Sequence, residues 1–140
     1  MNTAILSLGS NLGDRAFYLA AARNMLEQRV GELTRMSEVM ETKSWGYDSH
    51  DYLNQVVECV TELEPMELLR VLKEIEQALG RPVESKTKPG TQDYHDRTID
   101  IDILYYEDVE MDTPELTIPH PRIQDRPFIL ELLNQLKTEN

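Results

Sequence analysis

The chain has 140 residues, with 14 basic against 26 acidic side chains and a net charge of −12. That length suits a single domain over 1–140 with a core of its own, and the acidic balance argues against nucleic-acid binding, which needs a basic footprint. No apolar run reaches membrane-span length and no signal-peptide pattern opens the chain. The one cysteine, Cys59, can form no internal disulfide, so a cytoplasmic protein without a membrane partner is expected.

Thr3 to Gly9 reads as a strand with apolar residues on both faces, and hence a central one. Gly9-Ser10-Asn11-Leu12-Gly13-Asp14 is a tight turn into a helix, with Ser10 or Asn11 as its cap. It is neither a Walker nor a GxGxxG pattern. The helix runs from about Leu12 to Val30 and stops at Gly31, its stripe being Leu12, Leu19, Ala22, Leu26 and Val30. Residues 33–42 form a weaker strand. The loop from Thr42 to Asp51 holds Trp45 and Gly46; the tryptophan either folds back as a core lid or lines a pocket for a flat ring. Tyr52 to Thr61 is the third strand, with Leu53, Val57 and Cys59 on one face and Tyr52, Asn54 and Val56 on the other. An aromatic and an amide on one face suit a planar heterocycle or, more plainly, a cross-strand surface pair.

Pro65 opens a second helix and Gly80 closes it, with Leu69, Leu72, Ile75 and Leu79 as its stripe. Glu76 borders that stripe, either as an edge residue or as part of a site. Arg81 to Tyr94 is a polar loop with Lys86 and Lys88, placed as a lid would be. In Arg97-Thr98-Ile99-Asp100-Ile101-Asp102-Ile103-Leu104, strand alternation sends the isoleucines to a core and both aspartates to the other face, about 7 Å apart. Carboxylates so close repel unless a cation neutralises them, and hard oxygen ligands at that spacing suit Mg²⁺, including two ions about 3.5–4 Å apart. Arg97 adds a cation suited to phosphate. Thr117 to Arg122 then precedes a last helix, about Arg126 to Lys137. The order predicts an α+β, ferredoxin-like β-α-β-β-α-β sandwich with an antiparallel sheet and an extra C-terminal helix, its helices on one face and a ligand on the other.

Four stretches in this order, Gly9-Ser10-Asn11-Leu12-Gly13, Tyr52-Leu53-Asn54, Arg97 to Ile103 and Ile118-Pro119-His120-Pro121, resemble the 6-hydroxymethyl-7,8-dihydropterin pyrophosphokinase family over nearly the whole chain. The resemblance implies pyrophosphoryl transfer from ATP to the pterin hydroxymethyl oxygen in folate biosynthesis, with release of AMP. It implies Asp100 and Asp102 as ligands of two Mg²⁺ ions. Arg97 and His120 match phosphate-contacting catalytic residues, and Arg81, Arg126 and Glu76 match others of the ATP site. Thr42, Trp45, Gly46, Tyr52, Asn54 and Phe128 match the pterin pocket, with Phe128 stacking on the ring. The partners implied are pterin and ATP, bound by a monomer. Two departures stand out. The lid offers Lys86, Lys88 and Tyr94 where the family carries arginines and a tryptophan, and the chain ends soon after its last helix, where many relatives continue. The competing reading is a non-catalytic ferredoxin-like module that binds nucleotide or pterin.

Overall fold

Strand β1 (Asn2–Ser10) is the middle of the sheet, and residues Leu6 and Leu8 on it are fully buried, as its two-sided apolar character predicts. The computed structural model describes residues 1–43, 51–80 and 98–138. Helix α1 (Arg15–Arg29) follows, then β2 (Leu33–Met36), β3 (Met40–Thr42), β4 (Tyr52–Thr61), α2 (Pro65–Ala78) and β5 (Asp100–Tyr106). A small hairpin of β6 (Met111–Asp112) and β7 (Thr117–Ile118) leads to α3 (Pro127–Thr138). All pairings are antiparallel, in the order β2-β4-β1-β5, with β3 also pairing β4. The ferredoxin-like arrangement is therefore borne out.

Ala4, Leu6 and Leu8 of β1 pack with Val57 and Cys59 of β4 and with Ile101 and Ile103 of β5 beneath both helices. Each such aliphatic side chain contributes about 1.5–3 kcal/mol through burial. Helix α1 supplies Leu19, Ala22 and Leu26; α2 supplies Leu68, Val71, Leu72 and Ile75. The α2 stripe is thus turned from the predicted one: Leu68 is fully buried, and Leu69 and Leu79 only flank the core. Cys59 lies in this core, where burial, with Glu58 beside it, pushes the thiol up to about 12, so it stays protonated.

Three further expectations need correction. The α1 cap is Asp14, whose side chain accepts from the Phe17 N–H at 3.1 Å, because Ser10 still belongs to β1 and Asn11 is fully buried. Leu12 lies outside the stripe and is exposed. Residues 33–42 are two strands, not one. The break falls at Ser37, whose hydroxyl accepts from the Val56 N–H at 2.9 Å in place of a regular ladder bond.

Nor is the second sheet face left wholly to a ligand. Helix α3 lays Ile129, Leu132, Leu133 and Leu136 over Val56 and Leu104. The helix covers the part of that face around Val56 and Leu104. No helix among the described residues is long and apolar enough to cross a membrane.

Candidate active site

Beyond the part that α3 covers, the same face carries a row of paired residues. Asn54 of β4 lies opposite Gly9 of β1, and Gly9 lies opposite Asp100 of β5. The next row on the same face is Val56, Ser7 and Asp102. Two strand spacings separate Asn54 from Asp100, about 10 Å, with only a glycine between them. Ile99, Ile101 and Ile103 are buried on the helix face, which leaves both aspartates, half-buried, on this one. The alternation read from the sequence is what the strand adopts.

Asn54 is held in one orientation. Its Nδ2 donates to the Met40 carbonyl at 3.2 Å and to Thr42 Oγ1 at 2.8 Å. A carbonyl can only accept, so the amide nitrogen must face β3 and Oδ1 must face the open floor. That oxygen lies 3.5 Å from where a Cβ on Gly9 would stand. Tyr52 lies beside the same gap, with Cδ1 at 3.4 Å from that point. Pro127 opens α3, so Phe128 stands in its first turn, half-buried against the cluster of Val56 and Leu104. The pterin-side candidates Thr42, Tyr52, Asn54 and Phe128 therefore belong to the face that carries the aspartates.

Strand β5 is an edge strand, and two groups take the place of a neighbour along its outer side. Glu76, near the end of α2 and only 4% exposed, accepts the Ile101 N–H at 2.7 Å through Oε2. Leaving that buried donor without an acceptor would cost about 1–3 kcal/mol. Further along, a bulge inserts Leu104 between residues paired with Leu6 and Ile5 of β1. The Leu104 carbonyl accepts from the His120 N–H at 3.0 Å. The segment after β7, which carries the cis Ile118–Pro119 bond, is tied by this contact to the aspartate strand.

His120 Nδ1 accepts from the Arg122 N–H at 3.1 Å, so the neutral ring carries its proton on Nε2, free to donate outward. Burial holds this imidazole below its ordinary range; the nearby Arg126 and Arg122 push the same way, and Asp100 opposes them. Asp100 and Arg126 are thus near enough for their charges to act on His120. Among the described residues no group of three or more His, Cys, Asp or Glu side chains could hold a metal ion. Two carboxylates facing one way fit an ion that takes its other oxygens from phosphates and water, the habit of Mg²⁺. Trp45, Gly46, Arg81, Lys86, Lys88, Tyr94 and Arg97 lie outside the described residues.

The family model described as 7,8-dihydro-6-hydroxymethylpterin-pyrophosphokinase (HPPK) matches residues 5–138. The chain belongs to the HPPK family. It is 46% identical over 131 residues to the 2-amino-4-hydroxy-6-hydroxymethyldihydropteridine pyrophosphokinase of Porphyromonas gingivalis, covering 92% of this chain and 86% of that one. The enzyme of the same name from Bacillus subtilis is 39% identical over 137 residues, 96% of this chain and 78% of the other. A crystal structure of Plasmodium falciparum HPPK-DHPS superposes with a TM-score of 0.71 at 18% identity, over 97% of this chain. That likeness is one of fold, and this chain spans 40% of that longer protein.

In this HPPK, Gly9 is the residue between Asn54 and Asp100 that sequence reasoning left without a part to play. It closes the strand read over Thr3 to Gly9 and opens the turn after it, and the structure makes it a paired strand residue. A glycine inside a strand marks close approach of another group, and that signal was available. A Cβ there meets only ordinary contacts at 3.4–3.7 Å, so Gly9→Ala should fold. We expect Gly9→Val to weaken pterin binding about 100-fold, the scale of an ångström-sized misplacement, with ATP binding unchanged. Calorimetry with each ligand checks this; unaltered pterin affinity would remove Gly9 from the pocket floor.

Proposed function

We propose that this chain catalyses pyrophosphoryl transfer from ATP to 6-hydroxymethyl-7,8-dihydropterin, giving the pterin diphosphate and AMP in folate biosynthesis, in the cytoplasm. The observation that carries the reading is the row Asn54–Gly9–Asp100. It sets a fixed amide acceptor, a bare floor and a carboxylate in line, which suits a flat ring whose hydroxymethyl arm reaches toward phosphates.

On this reading Asn54 Oδ1 accepts from the amino edge of the pterin, while Thr42, Trp45, Gly46 and Tyr52 complete its wall and Phe128 stacks on the ring. Arg81, Arg97, Arg126 and His120 face the ATP phosphates, where fixed donors stabilise developing negative charge. His120, neutral with its proton on Nε2, donates to a phosphate oxygen. Asp100 and Asp102 would hold two Mg²⁺ ions, which when bound supply neutralisation of phosphate charge and alignment of the β-phosphorus. Glu76 serves the same half of the site, its carboxylate fixing the backbone between the two aspartates. The hydroxymethyl oxygen bonds to the β-phosphorus as the bond from that phosphorus to the α–β bridging oxygen breaks. AMP leaves with the bridging oxygen, and the hydroxyl proton passes to solvent. No strong general base is needed where positioning carries the rate.

The test is AMP formation from ATP with and without the pterin, in Mg²⁺. Pterin-dependent AMP is the expected result. A folded chain that binds pterin and ATP yet releases none would be a binding module instead.

A further inference from the structure

Arg15 is the first residue of α1, where a cation meets the positive end of the helix dipole. Helix stability does not account for it there. Its side chain instead leaves the helix: Nη1 donates to Glu41 Oε2 at 2.9 Å and to the Asp51 carbonyl at 2.8 Å. Glu41 belongs to β3, and Asp51 directly precedes β4. One nitrogen, using both its hydrogens, therefore joins the two strands beside their last pair, Thr42 opposite Tyr52. Thr42 in turn holds the Asn54 amide. The Arg15 and Glu41 side chains are 30% and 53% exposed, so their ion pair adds little to stability. What it does fix is the spacing of two strands at the pocket wall.

We infer that Arg15 is a positioning residue of the pterin site, acting through Glu41 and Asp51 to set Thr42, Tyr52 and hence Asn54. This rests on the pyrophosphokinase reading above. Arg15→Met keeps the aliphatic bulk and removes the bridge. Arg15→Lys restores a single nitrogen with enough hydrogens for both acceptors. Arg70→Met, which removes an exposed ion pair with Glu74 on α2, controls for loss of a surface charge.

The experiment measures KM for pterin and for ATP, melting temperature, and calorimetric pterin affinity with a non-hydrolysable ATP analogue. Arg15→Met is expected to raise pterin KM and Kd about tenfold, the scale of one charge-assisted hydrogen bond. ATP KM should be unchanged, and the melting temperature should fall no further than in Arg70→Met. Arg15→Lys should recover most of the loss, and Glu41→Gln should show a smaller one, because the Asp51 bond remains. Wild-type pterin affinity in Arg15→Met, equal rises in both KM values, or no recovery with lysine would each overturn the inference. A wild-type chain that binds pterin without turnover overturns the catalytic reading and leaves the Kd comparison to decide Arg15. One that does not bind pterin overturns both.

Discussion

Asp100→Ala and Asp102→Ala, each made alone, are expected to lower kcat for pterin-dependent AMP release about 1,000-fold, the upper scale for loss of one preorganised electrostatic group. The two carboxylates share one face two residues apart, so removing either also relieves like-charge repulsion. The same variants should lose tight Mn²⁺ binding in the presence of a non-hydrolysable ATP analogue, read by paramagnetic resonance independently of turnover. Activity in excess EDTA, or a variant with wild-type kcat, would take the metal out of this account.

Gly31→Ala is expected to cost about 3–5 kcal/mol, a large share of the usual 5–15 kcal/mol of a domain. Gly31 ends α1, its N–H bonding to the Leu26 carbonyl at 3.0 Å, and passes directly over β4. A Cβ there would stand 1.8 Å from the Val60 carbonyl oxygen and 2.9 Å from its carbon. The obstacle is backbone of a buried strand, so no rotamer change relieves it. Chemical denaturation of the variant checks the figure, and a loss below about 1 kcal/mol, within the range of ordinary surface changes, would show that β4 yields there.

Strands β4 and β5 were legible in the sequence because they alternate, β5 as far as its bulge at Leu104: Val57 and Cys59 against Asn54 and Val56, Ile101 and Ile103 against Asp100 and Asp102. The sheet order follows from that pattern with two helices between. What escaped was set by contacts distant in sequence. Periodicity alone left Glu76 open between a helix-edge residue and a site residue, because its partner, the Ile101 N–H, is backbone 25 residues away and leaves no mark in composition. The split of residues 33–42 depends on one hydroxyl, that of Ser37, meeting β4. The covering of part of the open face by α3 was hidden because an apolar stripe tells a helix to bury a side, not which surface to choose. Asp14 as cap was missed because the strand runs to Ser10, further than its alternation suggested.

The contacts along the outer side of β5 also bear on how separate copies of the chain meet. A bare sheet edge displays alternating donors and acceptors onto which a strand from another molecule can zip. Here the Ile101 donor is taken by Glu76 and the Leu104 acceptor by His120. A passing strand finds the rungs beside the aspartates already filled, one of them by a side-chain carboxyl group. The bonds that aim the reactive face therefore also block sheet extension between neighbours at that edge, and a single pair of contacts serves both chemistry and dispersal.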